Sequence, residues 1–169
     1  MAARGRAQDA GRTDLGALYD EHAAAVYRFL LAMLRSSDDA QDVLSDVFLA
    51  VARQDLRRIA NLRVYLLAAA RNRAVSVMRR RKREVNVEPS NPCFFDIDRV
   101  DGRDQLLAHA VEEALRDLPG DQREVIVLKV YEGLTFAEIA DITRTPANTV
   151  ASRYRYAIEK LRRALQEQT

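Results

Sequence analysis

Asn148, Ser152 and Arg155 follow one another at intervals of four and three, a spacing that sets side chains on one side of a helix. Asparagine and arginine form paired hydrogen bonds with base edges, while serine, threonine and tyrosine commonly reach phosphate oxygens. Residues 144–163 hold six basic residues against the single acid Glu159, so this stretch also carries the charge that phosphate requires. A second concentration of positive charge is the run Arg79-Arg80-Arg81-Lys82-Arg83. The chemistry on offer is nucleic-acid binding. Catalytic constellations are not in view. His22 and His109 lie on separate helical stretches without metal-ligand spacing, and no nucleophile–base pair or phosphate-binding loop can be recognised. Asp38, Asp39, Asp42 and Asp46 suit a solvated or protein-facing side of a helix better than a metal, so neither a metal nor a cofactor is expected.

The elements that must position these residues are helical. Thr135-Phe136-Ala137-Glu138 is a capping box, and the helix that it starts ends near Ile142. Thr145 followed by Pro146 predicts an N-cap with proline at the first helical position, opening a helix to about Gln166. Two helices joined by Thr143, Arg144 and Thr145 match a helix-turn-helix, whose second helix puts its N-terminal residues at major-groove base edges. Ile139, Ala140, Ile142, Val150, Tyr154, Ala157 and Leu161 give the pair an inner face. Upstream, Leu106, Leu107, Ala110, Val111, Ala114, Leu115 and Leu118 mark a helix stopped by Pro119-Gly120. Asp121 is expected to cap the next helix, 122–132.

The N-terminal half shows the same periodicity. Leu15–Leu34 is rich in apolar residues at helical spacing, and Ser36-Ser37-Asp38-Asp39 suits a cap and a first turn. Ala40, Val43, Leu44, Val47, Phe48 and Val51 then recur at three and four, followed by a connection over 53–60 and a long helix over 61–83. No segment alternates with period two. The predicted class is all-α: two small helical domains, 13–83 and 105–169, with a disordered N-terminus over 1–12 and a linker over 84–104. Within that linker, Cys93-Phe94-Phe95 suggests docking, most simply on the chain's own domains.

Charge is distributed to match. Lys and Arg outnumber Asp and Glu by 16 to 9 in residues 1–83, a balance of +7, whereas residues 84–104 hold 2 against 6, a balance of −4. Basic regions are thus separated by an acidic one, an arrangement that commonly meets phosphate. One cysteine in 169 residues excludes an intrachain disulfide framework and fits a reducing compartment. No apolar run approaches the ~18 residues of a membrane span, and residues 1–12 lack the apolar core of a secretory signal. Cytoplasmic residence without membrane insertion is the expectation.

Glu138-Ile139-Ala140, Asn148-Thr149-Val150 and Ser152-Arg153 resemble the C-terminal promoter-reading domain (region 4) of bacterial sigma factors, as does Leu118-Pro119 with Gln122-Arg123-Glu124-Val125 and Tyr131-Glu132-Gly133-Leu134. Leu18-Tyr19-Asp20, Val26-Tyr27-Arg28, Asp39-Ala40, Asp42-Val43, Asp46-Val47-Phe48 and Ala70-Arg71-Asn72-Arg73-Ala74 resemble the other sigma domain (region 2). Two motif sets in this order with a short linker are similar to the extracytoplasmic-function (ECF) type of the sigma-70 family.

That resemblance implies a partner, core RNA polymerase, and a target, double-stranded promoter DNA; an anti-sigma factor is a further partner that it allows. Asp39, Asp42, Val43, Asp46, Val47 and Phe48 would contact the polymerase clamp, the three apolar residues by an exposed edge. Tyr65, Arg71, Asn72, Arg73, Arg80 and Arg81 would melt and read the minus-ten element, and flipped bases do need aromatic pockets beside a basic track. Asn148, Thr149, Ser152, Arg153 and Arg155 would read the minus-thirty-five element. The chain departs from the family pattern at Ser76 (usually aspartate), in lacking tryptophan, and at Arg144, Asn148 and Ala151, which replace two glycines and a basic residue. Arginine at 144 costs about 1 kcal/mol relative to glycine if the turn needs positive φ. The rival readings are a helix-turn-helix regulator that works without polymerase, which leaves the N-terminal motifs unexplained, and a sigma-like decoy that binds only a partner.

Overall fold

The structure, a computed structural model, describes residues 15–84 and 102–167. The N-terminal 1–12 and nearly all of the expected linker, with Cys93-Phe94-Phe95, lie outside the described residues. Every regular element among the described residues is helical, as the sequence pattern requires. No helix there is long and apolar enough to cross a membrane.

Helix α1 (Leu15–Leu34) buries Leu18, Val26, Phe29, Leu30 and Leu34. It stops at Arg35, which adopts a left-handed conformation at φ 54° and donates its N–H to the Leu31 carbonyl at 2.9 Å. Ser36 then caps α2 (Ser37–Val51) by accepting from the Asp39 N–H, and Asp38 and Asp39 lie in the first turn, where carboxylates complement the helix dipole. The periodic set Ala40, Val43, Leu44, Val47, Phe48 and Val51 is buried in full. A 3₁₀ turn, Leu56–Arg58, leads to Asn61, whose side chain caps α3 (Leu62–Arg83) by accepting from the Val64 N–H. On α3, Leu66, Leu67, Ala70 and Ala74 are buried; the two alanines let α1 and α2 approach closely.

In the second half, α4 (Gly102–Asp117) packs on α7 (Ala147–Glu167), and α5 (Gly120–Ile126) starts from Pro119 at the cap position. Asp121 makes no cap hydrogen bond, contrary to expectation. Proline at that position needs no N–H of its own, and the aspartate falls in the first turn instead. The single helix expected over 122–132 is in fact α5 continued by a π-helical turn, Val127–Tyr131. There Glu132 donates its N–H to the carbonyl five residues back, Val127. Gly133 ends it at φ 65°. Helix α6 (Phe136–Thr143) begins with the expected capping box between Thr135 and Glu138. Arg144 turns the chain in a left-handed conformation, φ 52° and ψ 42°. Helix α7 starts one residue later than expected. The Pro146 carbonyl accepts from the Val150 N–H, while the Thr145 hydroxyl, instead of capping, donates to the Thr143 carbonyl.

One core runs through both halves. Phe29, Leu30, Leu66 and Leu67 continue into Val125, Leu128, Ile139, Ile142 and Val150. A smaller cluster of Leu115, Leu118, Ile126 and Ala157 fixes α4 and α5 on α7. Each buried Val, Leu, Ile or Phe side chain among these contributes about 1.5–3 kcal/mol relative to exposure.

Candidate nucleic-acid interface

The helix-turn-helix presents the residues that the spacing nominated. Asn148, Thr149 and Arg155 are exposed near the start of α7, and the Ser152 hydroxyl between them donates to the Asn148 carbonyl at 3.0 Å. Arg155 lies over the Tyr156 ring at 5.5 Å, and among the described residues its guanidinium is paired with no carboxylate. Arg153 behaves differently. Its Nε sits 3.0 Å from Asp121 and its Nη1 donates to the Thr145 hydroxyl, which ties α7 to the start of α5 and to the turn. Val150, fully buried, and Phe136 edge-on to Tyr154 hold α7 against α6.

Of the six nominated residues on α3, two are exposed and four, Tyr65, Arg71, Arg73 and Arg81, are held by other side chains. Asn72 and Arg80 are exposed, as are Arg79, Lys82 and Arg83 of the basic run. Tyr65 donates its hydroxyl to Gln54 and so braces the connection before α3. Arg73 pairs with Asp46 at 3.2 Å. Arg81 is turned back into the first unit: it pairs with Asp39 and donates to the Leu34 carbonyl at 3.2 Å, closing the C-terminus of α1. The basic run is therefore an exposed track interrupted by one structural arginine.

The exposed apolar edge expected on α2 is absent. Val43, Val47 and Phe48 are 4%, 0% and 3% exposed, and Phe48 meets Tyr19 edge-on. The stripe that recurs at three and four is the core face itself, and one stripe cannot serve both the core and a partner. The opposite side shows Asp42, Ser45, Asp46 and Leu49, an i, i+3, i+4, i+7 set in which Leu49 is 58% exposed. The signal for Leu49 was present in the sequence: it is an apolar residue on the acidic side of the period.

The second half also binds the first through polar pairs that no local spacing announced. Glu132, its side chain wholly buried, accepts from Arg28 Nε at 2.9 Å and from Arg63. Glu124 pairs with Arg71, and Asn61 donates to Glu138 at 3.1 Å. Arg123, 7% exposed, donates its Nε–H to the Ala32 carbonyl and its Nη1–H to the carbonyls of Arg116 and Leu118. Burial raises the Glu124 carboxyl above its ordinary range, opposed by the hydrogen bond and charge of Arg71. The hydrogen bonds from the Thr135 amide and hydroxyl hold Glu138 below that range. Burial pushes the Tyr131 phenol up to about 12.

Comparison with known proteins gives a consistent picture. The family described as Sigma-70 region 2 matches residues 18–84, and that described as Sigma-70, region 4, matches residues 108–161. An ECF RNA polymerase sigma factor, SigL of Mycobacterium tuberculosis, is 34% identical over 162 residues, covering 89% of this chain and 88% of the relative. The RNA polymerase sigma factor CarQ of Myxococcus xanthus is 29% identical and covers 96% of this chain and 95% of its own. Among solved structures, the sigma factor RpoE of Bartonella quintana, in complex with the anti-sigma factor NepR, superposes with a TM-score of 0.74 at 27% identity. That match covers 90% of this chain and 97% of RpoE. CnrH, solved with the cytosolic domain of CnrY, shares the fold at a TM-score of 0.65 and 22% identity over 92% of this chain and 89% of its own.

Proposed function

The chain belongs to the sigma-70 family of RNA polymerase sigma factors, in its extracytoplasmic-function branch, and from that premise we propose how its helices divide the work. As a sigma factor it binds core RNA polymerase and directs initiation at promoters; it is a specificity subunit, and no residue is assigned a catalytic role. Helix α2 meets core polymerase, α3 handles the minus-ten strand, and α7 reads the minus-thirty-five element. Residence in the cytoplasm, with the polymerase, belongs to the same reading. An anti-sigma factor is a partner class for such a chain, as it is for the Bartonella protein.

The observation that carries the assignment is the pairing of two sites on one fold. An exposed helix-turn-helix face of Asn148, Thr149 and Arg155 accompanies a separate unit with an exposed basic track and an acidic, Leu49-bearing helix side. A regulator that worked without polymerase would need only the first. On α2 the contact is assigned to Asp42, Asp46 and Leu49, while Val43, Val47 and Phe48 support them from the core and Asp39 orients Arg81. On α3, Asn72 and Arg80 face the strand directly. Tyr65 and Arg73 are held by Gln54 and Asp46 until DNA competes for them.

Reversal of charge in Asp42→Lys and Asp46→Lys tests the polymerase surface. Exposed charges rarely cost more than about 0.5 kcal/mol of stability, so the fold stays intact while retention by core polymerase drops. Unchanged retention would remove α2 from the interface.

A further inference from the structure

Two tyrosines on α7 are put to opposite uses. Tyr154 is partly buried, edge-on to Phe136, and belongs to the core that holds α7 against α6. Tyr156 is 52% exposed and takes no part in either apolar cluster. It follows Ser152 by four positions, as Ser152 follows Asn148, so its ring stands on the side of α7 that carries them. We propose that Tyr156 sets sequence preference together with Arg155. The pair reads a two-base-pair step of the minus-thirty-five element: the guanidinium takes a guanine, and the ring packs on the 5-methyl group of an adjoining thymine. The inference rests on the reading of α7 as the helix in the major groove and names what one flank of it recognises.

Each half of the pair has the chemistry for its half of the step. Guanine offers two acceptors, O6 and N7, to a guanidinium, and the thymine methyl is an apolar feature of the major groove that apolar side chains contact. The Arg155 guanidinium lies 5.5 Å from the centroid of the Tyr156 ring, a cation–π distance. Stacking couples the two side chains, so the ring is held beside the base that Arg155 takes. The rest of this flank does not compete for the methyl. Asn148 and Thr149 are polar, and the Ser152 hydroxyl is turned onto the helix, donating to the Asn148 carbonyl. Ala151 and Ala147 carry methyls, but at five and nine positions before Tyr156 they lie about 140° and 180° around the helix from it.

The test uses the full chain bound to core RNA polymerase and promoter duplexes carrying the minus-thirty-five element that the wild type selects. Each thymine of the element is replaced in turn by deoxyuridine, which removes one methyl group and nothing else. At one position the wild type should bind the deoxyuridine duplex about fourfold more weakly, the effect of one methyl group withdrawn from an apolar contact. That position should adjoin a guanine whose preference Arg155→Ala relaxes. Tyr156→Phe should keep the discrimination and Tyr156→Ser should lose it, with circular dichroism showing that both are helical. Three results would each overturn the pair: no discriminated thymine in the wild type, discrimination kept by Tyr156→Ser, or a discriminated thymine away from any guanine that Arg155→Ala relaxes. A Tyr156→Phe chain that loses the discrimination and binds all sequences more weakly would also overturn it, and would identify a phosphate contact through the hydroxyl. Promoter selection with Asn148→Ala and Arg155→Ala keeps the premise separate. If neither changes the selected sequence, the reading of α7 fails and the pair with it; if either does while Tyr156→Ser still discriminates the methyl, only the pair fails.

Discussion

Arg123 on α5 donates its Nε–H to the carbonyl of Ala32 on α1 at 2.9 Å, joining two residues 91 positions apart. The same guanidinium closes the C-terminus of α4 through Arg116 and Leu118, so one side chain serves three helices. Burial and the charge of Arg35 lower its pKa from the ordinary arginine value. Such a group is tolerated only because its donors are matched by carbonyls that would otherwise be orphaned.

Arg123→Ala should therefore cost about 2–4 kcal/mol, since it leaves several buried carbonyls unpaired and opens a void. Arg123→Lys should recover only part of the loss, because an ammonium cannot span the fork. Urea unfolding checks both. A loss below about 0.5 kcal/mol for the alanine variant would show that the carbonyls find other donors.

Arg144 holds φ 52° between α6 and α7, a conformation that glycine adopts without penalty. Arg144→Gly should stabilise the fold by about 0.5–1 kcal/mol, the relief of left-handed strain less the extra freedom of the unfolded chain. A thermal melt reads this as an upward shift of about 1–4 °C. A downward shift would mean that the arginine side chain makes a contact worth more than the strain.

Sequence readout is assigned to Asn148 and Arg155, both exposed on α7. Alanine at a base-reading position should cost about 1–3 kcal/mol on the best site and relax preference at one base pair, whereas loss of a phosphate partner weakens all sequences alike. Promoter selection with the wild type and the Asn148→Ala and Arg155→Ala chains distinguishes the two. Identical preferred sequences from all three would place readout elsewhere.

The exposed part of the basic run should act through phosphate alone. Arg80→Ala with Lys82→Ala should flatten the salt dependence of DNA binding by roughly one unit for each phosphate that is no longer neutralised. Arg81→Ala should instead lower stability, because that guanidinium holds Asp39 and the Leu34 carbonyl. An unchanged salt slope for the double variant would make the run a solvated helix end.

The helical frame was legible because its signals are local. The period in α2, the break at Ser36, the Thr135–Glu138 box and the Arg144 turn all act within about four residues. Expectation and structure part where distant groups decide. Thr145 and Asp121 resemble caps by type, but Pro119 and Pro146 fix where α5 and α7 begin, and each side chain finds a partner elsewhere. The π-helical turn at Val127–Tyr131 has no signature in its apolar run. The pairs Arg28–Glu132, Arg71–Glu124 and Asn61–Glu138 span 53 to 104 positions. Nothing in the spacing of one helix reveals its partner on another, and so the sequence nominates Arg71 without the carboxylate that covers it.

That one chain joins polymerase to promoter is tested most directly by transcription from purified parts. The chain is added to core RNA polymerase that lacks any sigma subunit, with DNA containing the sequence selected by the chain, and the 5′ ends of the transcripts are mapped. Transcripts should start at one fixed distance from that sequence, require both proteins, and weaken with Asp42→Lys and Asp46→Lys. Sequence-specific DNA binding with no retention on core polymerase and no start site would contradict this, and would identify a regulator that binds DNA without polymerase.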